Sequence, residues 1–468
     1  MGKNKQLSVF VFAMMNVAIV MSLRGLPLMA KEGLSMIFYI LFASFLFLIP
    51  VSLVSAELAT GWPKDGGVYR WVKEAFGSKL GFTAIWLQWI QNTIWYTTVL
   101  AFAAGALSYL FLDPTLAANK FFIIFVILFV YWGATFVNFN GLNLASWLTT
   151  IFVIGGTIIP AIFVILLGIA WIAMGNPLAI LQNSQHVIPD LGNFDKVAFL
   201  AGTVLLFAGM EVGAVHVREM KDMTKNYPKA IFLSAIIIIV VFLLGSLAIA
   251  FTLPPDQISL TAGIMQGFKE LLHNFHLDWL LPILGFVVAF GAMGGVIAWI
   301  GGPSKGLLAT AKSGELPPFL QYTNKHGIQT HILWVQGIIV TVLAFAFLLL
   351  PNVSNAFFLL TSLTASLYLI MYILLYTAAI RLRYKAKDVP RPYKIPGGNF
   401  GMWVVAGIGL LAVIFGFIVS FFPPSQLHIT KPALYSVFIL VGCIVFFVAP
   451  ILINHFKKPQ WKDYKEKK

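Results

Sequence analysis

The chain has 468 residues, of which 59% are hydrophobic and 10% charged, with a formal net charge of +14. That charged fraction is well below the roughly 25% of a soluble domain, so the composition excludes a fold built around one water-soluble core. The single cysteine, Cys443, also excludes an intramolecular disulfide and a cysteine-based metal cluster.

Apolar segments fall near 7–32, 36–59, 81–112, 120–138, 144–174, 197–214, 230–253, 279–303, 331–350, 355–380, 402–422 and 433–455. About twenty apolar residues at 1.5 Å each cross the bilayer hydrocarbon. The pattern predicts an all-α integral membrane protein of about twelve transmembrane helices. The first segment has no small-residue cleavage pattern and runs directly into the second, so it reads as a retained helix rather than a signal peptide.

The basic residues sit in alternate connections. One side receives Arg218, Lys221, Lys225 and Lys229, then Arg381, Arg383, Lys385, Lys387, Arg391 and Lys394, and a lysine-rich end at 457–468. Lys31, Lys120, Lys196, Lys269 and Lys431 fall on the other. The positive-inside rule then places both termini in the cytoplasm. The charge answers to topology and anionic lipid headgroups, with no nucleic-acid partner expected.

Taken in chain order, two spans are interrupted. In the first, Met21-Ser22-Leu23-Arg24-Gly25-Leu26-Pro27 combines a helix-loosening glycine with a proline that lacks a donor. In the sixth, two glycines flank a carboxylate in Phe207-Ala208-Gly209-Met210-Glu211-Val212-Gly213-Ala214. Broken helices five spans apart are the mark of inverted-repeat transporters, whose substrate binds at the exposed helix ends. The expected organisation is a first repeat over 1–175 (spans 1 to 5), a second over 195–384 (spans 6 to 10), spans 11 and 12 over 400–456, and the basic tail 457–468.

Ionisable residues at membrane depth are expensive and mark function. Arg24 and Glu211 are the first candidates, under two readings. They form a buried ion pair between spans 1 and 6, or Arg24 receives a substrate carboxylate bidentately while Glu211 meets an ammonium group or takes a proton.

Several segments together resemble the amino acid–polyamine–organocation transporters, and within them the bacterial glutamate/γ-aminobutyrate antiporters. They are the broken first span with Pro27, Ser55-Ala56-Glu57-Leu58-Ala59-Thr60, Gly66-Gly67-Val68-Tyr69-Arg70-Trp71-Val72, Gly209-Met210-Glu211-Val212, Val217-Arg218-Glu219-Met220, Asn226-Tyr227-Pro228, and the stretch from Ala298-Trp299 to Gly306. The resemblance implies ten core helices in a 5+5 inverted repeat plus two C-terminal helices, and transport by alternating access. It carries pocket roles to Glu211, Trp299, Tyr368 and Tyr372. This sequence departs from the pattern where a tyrosine and a glutamate of span 1 become Arg24 and Gly25, and where a glutamate of span 8 becomes Gly295. Each departure removes acidic or phenolic character and makes the pocket more electropositive.

Tyr368 and Tyr372 are four apart and share a helix face; they line the pocket or belong to an interfacial belt. Trp299 follows the glycine-rich stretch 291–295 and either packs or stacks on substrate. Gln88, Gln91 and Asn92 are polar at mid-depth in span 3. Glu57 reads as a loop anchor rather than a proton carrier, and His216 as a solvated helix-end histidine, with a pH sensor as the other reading. The other histidines lack metal-ligand spacing, so neither a metal nor a cofactor is expected.

The expected function is secondary active transport of amino acids. The leading form is an antiporter that takes an acidic amino acid such as glutamate on Ser22, Arg24, Gly25, Glu211, Trp299, Tyr368 and Tyr372, against a related amino acid or amine. The alternative is a proton-coupled importer of a neutral amino acid with Glu211 titrating; a non-transporting membrane sensor is the reading from another class. No nucleophile and base converge as an enzyme would need, and no charged ring or filter suits a channel. The setting expected is the bacterial inner membrane; the oligomeric state leaves no mark in the sequence.

Overall fold

The computed structural model describes residues 7–63, 66–181, 186–192, 194–214, 220–423 and 432–462. These residues are almost wholly helical. Among the described residues ten helices are long and apolar enough to cross a bilayer: Ser35–Gly61, Ser78–Leu110, Lys120–Phe139, Trp147–Ala173, Met223–Thr252, Asp278–Glu315, Thr330–Leu349, Val353–Lys385, Gly398–Val419 and Pro432–His455. They are spans 2 to 5 and 7 to 12. Spans 1 and 6 fall short of that length because each is split, into Val9–Val20 with Gly25–Ala30 and into Phe199–Leu206 with Met210–Ala214. A backbone can leave the helix at membrane depth only where protein surrounds it, and both splits are buried but for the half-buried Ser22.

Spans 3 and 10 form the centre: 83% of the apolar window of each is buried, against 17% for span 12 at the rim. Span 3 packs on spans 8 and 10, span 1 on span 7, and the second segment of span 6 on span 2. Spans 5 and 8 cross with their backbones in contact. A Cβ on Gly156 would lie 2.3 Å from the Gly291 nitrogen, so the small residues noted in span 8 do permit a close helix approach.

Two amphipathic helices escaped the sequence reading. Val68–Phe76 lies between spans 2 and 3 and buries Val68, Tyr69, Trp71, Val72 and Ala75. Gly263–Asn274 lies between spans 7 and 8 and buries Ile264, Met265, Phe268, Leu271 and Leu272. The second caps the face opposite the termini. There Lys31 donates to the carbonyls of Pro255 and Ile258 at 3.0 and 3.2 Å.

The first break is shorter than the sequence suggested. Only Met21 to Arg24 leave the helix, and Gly25 to Pro27 already belong to the next segment. Proline in a first turn costs nothing, because that amide has no partner within the helix in any case. His216 and Arg218 lie outside the described residues.

Candidate functional site

At the break in span 1, the amides of Ser22, Leu23 and Arg24 donate to no backbone carbonyl among the described residues. Arg24 is 3% exposed. Its guanidinium donates to Thr98 Oγ1 of span 3 at 2.7 Å, and that hydroxyl in turn donates to the Trp95 carbonyl at 2.9 Å. The guanidinium carbon stands 5.9 Å from the Trp95 ring and 5.7 Å from the Phe357 ring, within cation–π reach. Nε has no partner. No carboxylate among the described residues pairs with this cation, so its partners are one hydroxyl and two ring faces. A buried charge held that way costs several kcal/mol relative to water.

At the break in span 6, Gly209 adopts φ +124°, a conformation that suits glycine. A side chain there would also meet Ile19 and the Trp299 indole. The turn sets Glu211 in the first turn of Met210–Ala214. The carboxylate is 1% exposed and accepts three hydrogen bonds. Gln88 Nε2 reaches Oε1 at 3.0 Å, Tyr372 reaches Oε2 at 2.7 Å, and Tyr368 donates to Oε1. The Tyr372 hydroxyl also accepts from the Gly209 amide at 3.2 Å, which ties the break to span 10. An ionised carboxylate only accepts, and all three neighbours are donors. The three donors offset part of the cost of burying this carboxyl group.

The ion-pair reading of Arg24 and Glu211 is thus corrected: each has its own neutral partners, and no bond joins them. They face separate cavities. The first, of about 70 Å³, is lined by Ser22, Arg24, Gln91, Asn92, Trp95, Trp299 and Tyr368 among others. The second, of about 570 Å³, opens toward the face that carries the termini and is lined by Gln88, Glu211, Gly302, Lys305 and Lys312 among others. Among the described residues the two share no lining residue. The bond from Tyr368 to Glu211 joins the walls of the two and forms part of the partition between them.

The structure brings Ser22, Arg24, Trp299 and Tyr368 to one cavity, with Glu211 and Tyr372 directly behind it. Gly25 is placed otherwise. A Cβ there would meet Phe242 at 2.6 Å and Leu206 at 2.8 Å, and its amide already donates to the Ser22 carbonyl at 3.0 Å, so Gly25 is a packing position. Gly295, by contrast, lines the first cavity with nothing within 4 Å of where its Cβ would be. Sequence reasoning missed Thr98 and Trp95, whose only signal is a helical spacing of three to seven residues from Gln91 and Asn92.

Two broken spans around a guanidinium and a caged carboxylate describe a transporter core, and the comparisons with known proteins agree. The family model described as amino acid permease matches residues 5–447. The chain belongs to the amino acid permease family. The permease is 42% identical over 448 residues to an uncharacterised transporter of Legionella pneumophila, covering 96% of both chains. It is 33% identical to a glutamate/γ-aminobutyrate antiporter of Lactococcus lactis over 464 residues, 98% of this chain and 92% of that one. A probable agmatine/putrescine antiporter of the same species is 24% identical over 459 residues, 97% and 95% of the two chains. The permease is accordingly a membrane transporter and not an enzyme.

A second buried cluster anchors the termini face of the permease. Glu57, at the end of span 2, pairs with Arg383 at 2.5 Å and Arg391 at 3.5 Å and accepts from the Ile395 amide at 2.9 Å. Arg391 also donates to the Leu382 and Ala386 carbonyls at the end of span 10. One carboxylate thus fastens spans 2 and 10 to the 386–397 connection, the anchoring role its position suggested. In that connection, burial and then Glu57 push the Tyr393 phenol up to about 12, while burial draws Arg391 below its usual value.

Proposed function

We propose that the permease is an antiporter that exchanges an acidic amino acid such as glutamate for a related amino acid or an amine. The observation that carries this reading is Arg24. A buried guanidinium on a cavity wall, without a carboxylate partner among the described residues, has room in its hydrogen-bonding fork for a substrate carboxylate. In this reading the acidic side chain meets Arg24, the α-carboxylate meets the amides of Ser22 to Arg24, and Trp299 with Trp95 flanks the aliphatic part. The ammonium group draws Glu211 through Tyr368. The narrow first cavity accepts an amino acid only as the spans around it part, and the partition between Tyr368 and Glu211 opens as the second cavity becomes continuous with the first. Differential binding to the two states is what drives such a shift.

The name of the Lactococcus lactis relative supports glutamate and γ-aminobutyrate as the pair to test first. The two halves 1–175 and 195–384 are proposed as inverted repeats. Each opens on a broken span and carries an amphipathic helix between its second and third spans. The distribution of lysine and arginine supports an inner-membrane setting with the termini in the cytoplasm. One observation favours proton-coupled import as the second reading: Glu211 lines the wide cavity on the termini face, from which a proton can reach it.

The test is uptake of labelled glutamate into proteoliposomes preloaded with γ-aminobutyrate, with glutamate or with buffer, at acidic and neutral pH. Antiport predicts uptake only into amino-acid-loaded vesicles. Uptake into buffer-loaded vesicles driven by a pH gradient would establish the proton-coupled reading instead.

A further inference from the structure

We propose that the groove between the start of span 3 and the end of span 12 holds an anionic phospholipid of the leaflet on the termini face. The groove measures about 370 Å³. Lys79, Asn454 and His455 line its polar end, while Leu80, Phe447 and Ile451 line the rest together with Thr83, whose hydroxyl is turned back onto the Lys79 carbonyl. This is the layout of a phospholipid, with hydrogen-bond donors and positive charge at headgroup level and apolar wall toward the hydrocarbon. No carboxylate among the described residues lines it. Among the described residues of that face, Glu74 is already paired with Arg70 at 2.8 Å and Glu315 with Lys457 at 2.9 Å. Lys79 and His455 make no ion pair among the described residues, and both are exposed.

The groove also has a fixed frame and a way in. The Trp86 indole donates to the Phe446 carbonyl at 3.0 Å, which pins span 12 to span 3 at the groove's inner end. Beside Ile451, span 12 also exposes Ile444, Val445 and Leu452, apolar side chains on which acyl chains can lie. Basic pockets between transmembrane helices at headgroup depth recognise phosphate-bearing lipids through charge and hydrogen bonding together. A zwitterionic lipid carries its own ammonium against Lys79, so the charge of the groove selects for a net-negative headgroup.

The test is native mass spectrometry of the full-length protein released from detergent with added phosphatidylglycerol, with phosphatidylcholine, or with inorganic phosphate alone. Wild type is expected to retain phosphatidylglycerol at least fivefold better than phosphatidylcholine. The double variant Lys79→Gln, His455→Gln is expected to lose that preference, and Lys305→Gln, Lys312→Gln, which removes charge elsewhere on the same face, is expected to keep it. Equal retention by wild type and the groove variant overturns the proposal. So does phosphate binding that matches the lipid, and so does a dimer that forms through span 12 as lipid is removed. A groove variant that fails to fold is replaced by Ile451→Asp, which blocks the acyl path and is expected to abolish the preference while leaving both basic side chains in place.

Discussion

Tyr368 donates its hydroxyl to Glu211 while its side chain lines the cavity that holds Arg24. One side chain therefore bonds to one charged centre of the core and lines the cavity of the other, and its bond to the carboxylate stands where the two cavities are divided. A path that joins the cavities through this part of the partition must break or reroute this contact.

Tyr368→Phe removes that donor and leaves Glu211 with Gln88 and Tyr372. A hydrogen bond to a charged group contributes about 1.5–3 kcal/mol, so amino-acid exchange is expected to fall at least about tenfold while the thermal midpoint moves little. Exchange assays and thermal unfolding on the same preparation check this. A lowered midpoint with unchanged exchange would make Tyr368 a scaffold residue.

Gly295→Glu places a carboxylate in the first cavity, where there is room for it. The new anion competes for Arg24 and repels an acidic substrate. Glutamate exchange is expected to drop about tenfold or more, the size of one lost charge-assisted contact, with the fold intact. Unchanged glutamate affinity would place the substrate's acidic group elsewhere.

Glu57→Gln leaves Arg383 and Arg391 buried against each other without their carboxylate. Breaking a buried pair by removing one partner costs about 3–5 kcal/mol, so the thermal midpoint in detergent is expected to fall clearly. A variant as stable as wild type would contradict the anchoring role.

Gly156→Leu drives a side chain into the backbone of span 8, whereas the adjacent Gly155 has nothing within 4 Å of its Cβ position. Gly156→Leu is expected to abolish a monodisperse folded protein, and Gly155→Leu to be tolerated. Size-exclusion chromatography of the two separates the cases.

The spans were legible because long apolar runs have no other use, and the two breaks because Arg24, Gly209 and Glu211 are costly inside a lipid-facing helix. The break in span 1 was read too long, since Pro27 looks the same in sequence whether it interrupts a helix or begins one. The helix Val68–Phe76 went unread although its apolar residues keep a helical spacing around Arg70, Lys73 and Glu74, because hydropathy alone passes over so short a segment. The partners of Arg24 and Glu211 were not readable. Thr98 and Gln88 lie on span 3, far from both in sequence, and only the packing of spans 1, 3, 6 and 10 decides which polar groups meet. The role of Gly25 was hidden for the same reason: its tight contact is with Leu206 and Phe242 of spans 6 and 7.

The most direct test of Arg24 as the carboxylate receptor is calorimetric binding of glutamate and glutamine to purified wild type, Arg24→Lys and Arg24→Ala. The two ligands differ by one charge at nearly constant shape. Wild type is predicted to prefer glutamate by about tenfold or more, Arg24→Lys to keep part of that preference because the planar fork is lost, and Arg24→Ala to lose it. Equal binding of glutamine and glutamate by wild type, or a glutamate preference that survives Arg24→Ala, would contradict the account.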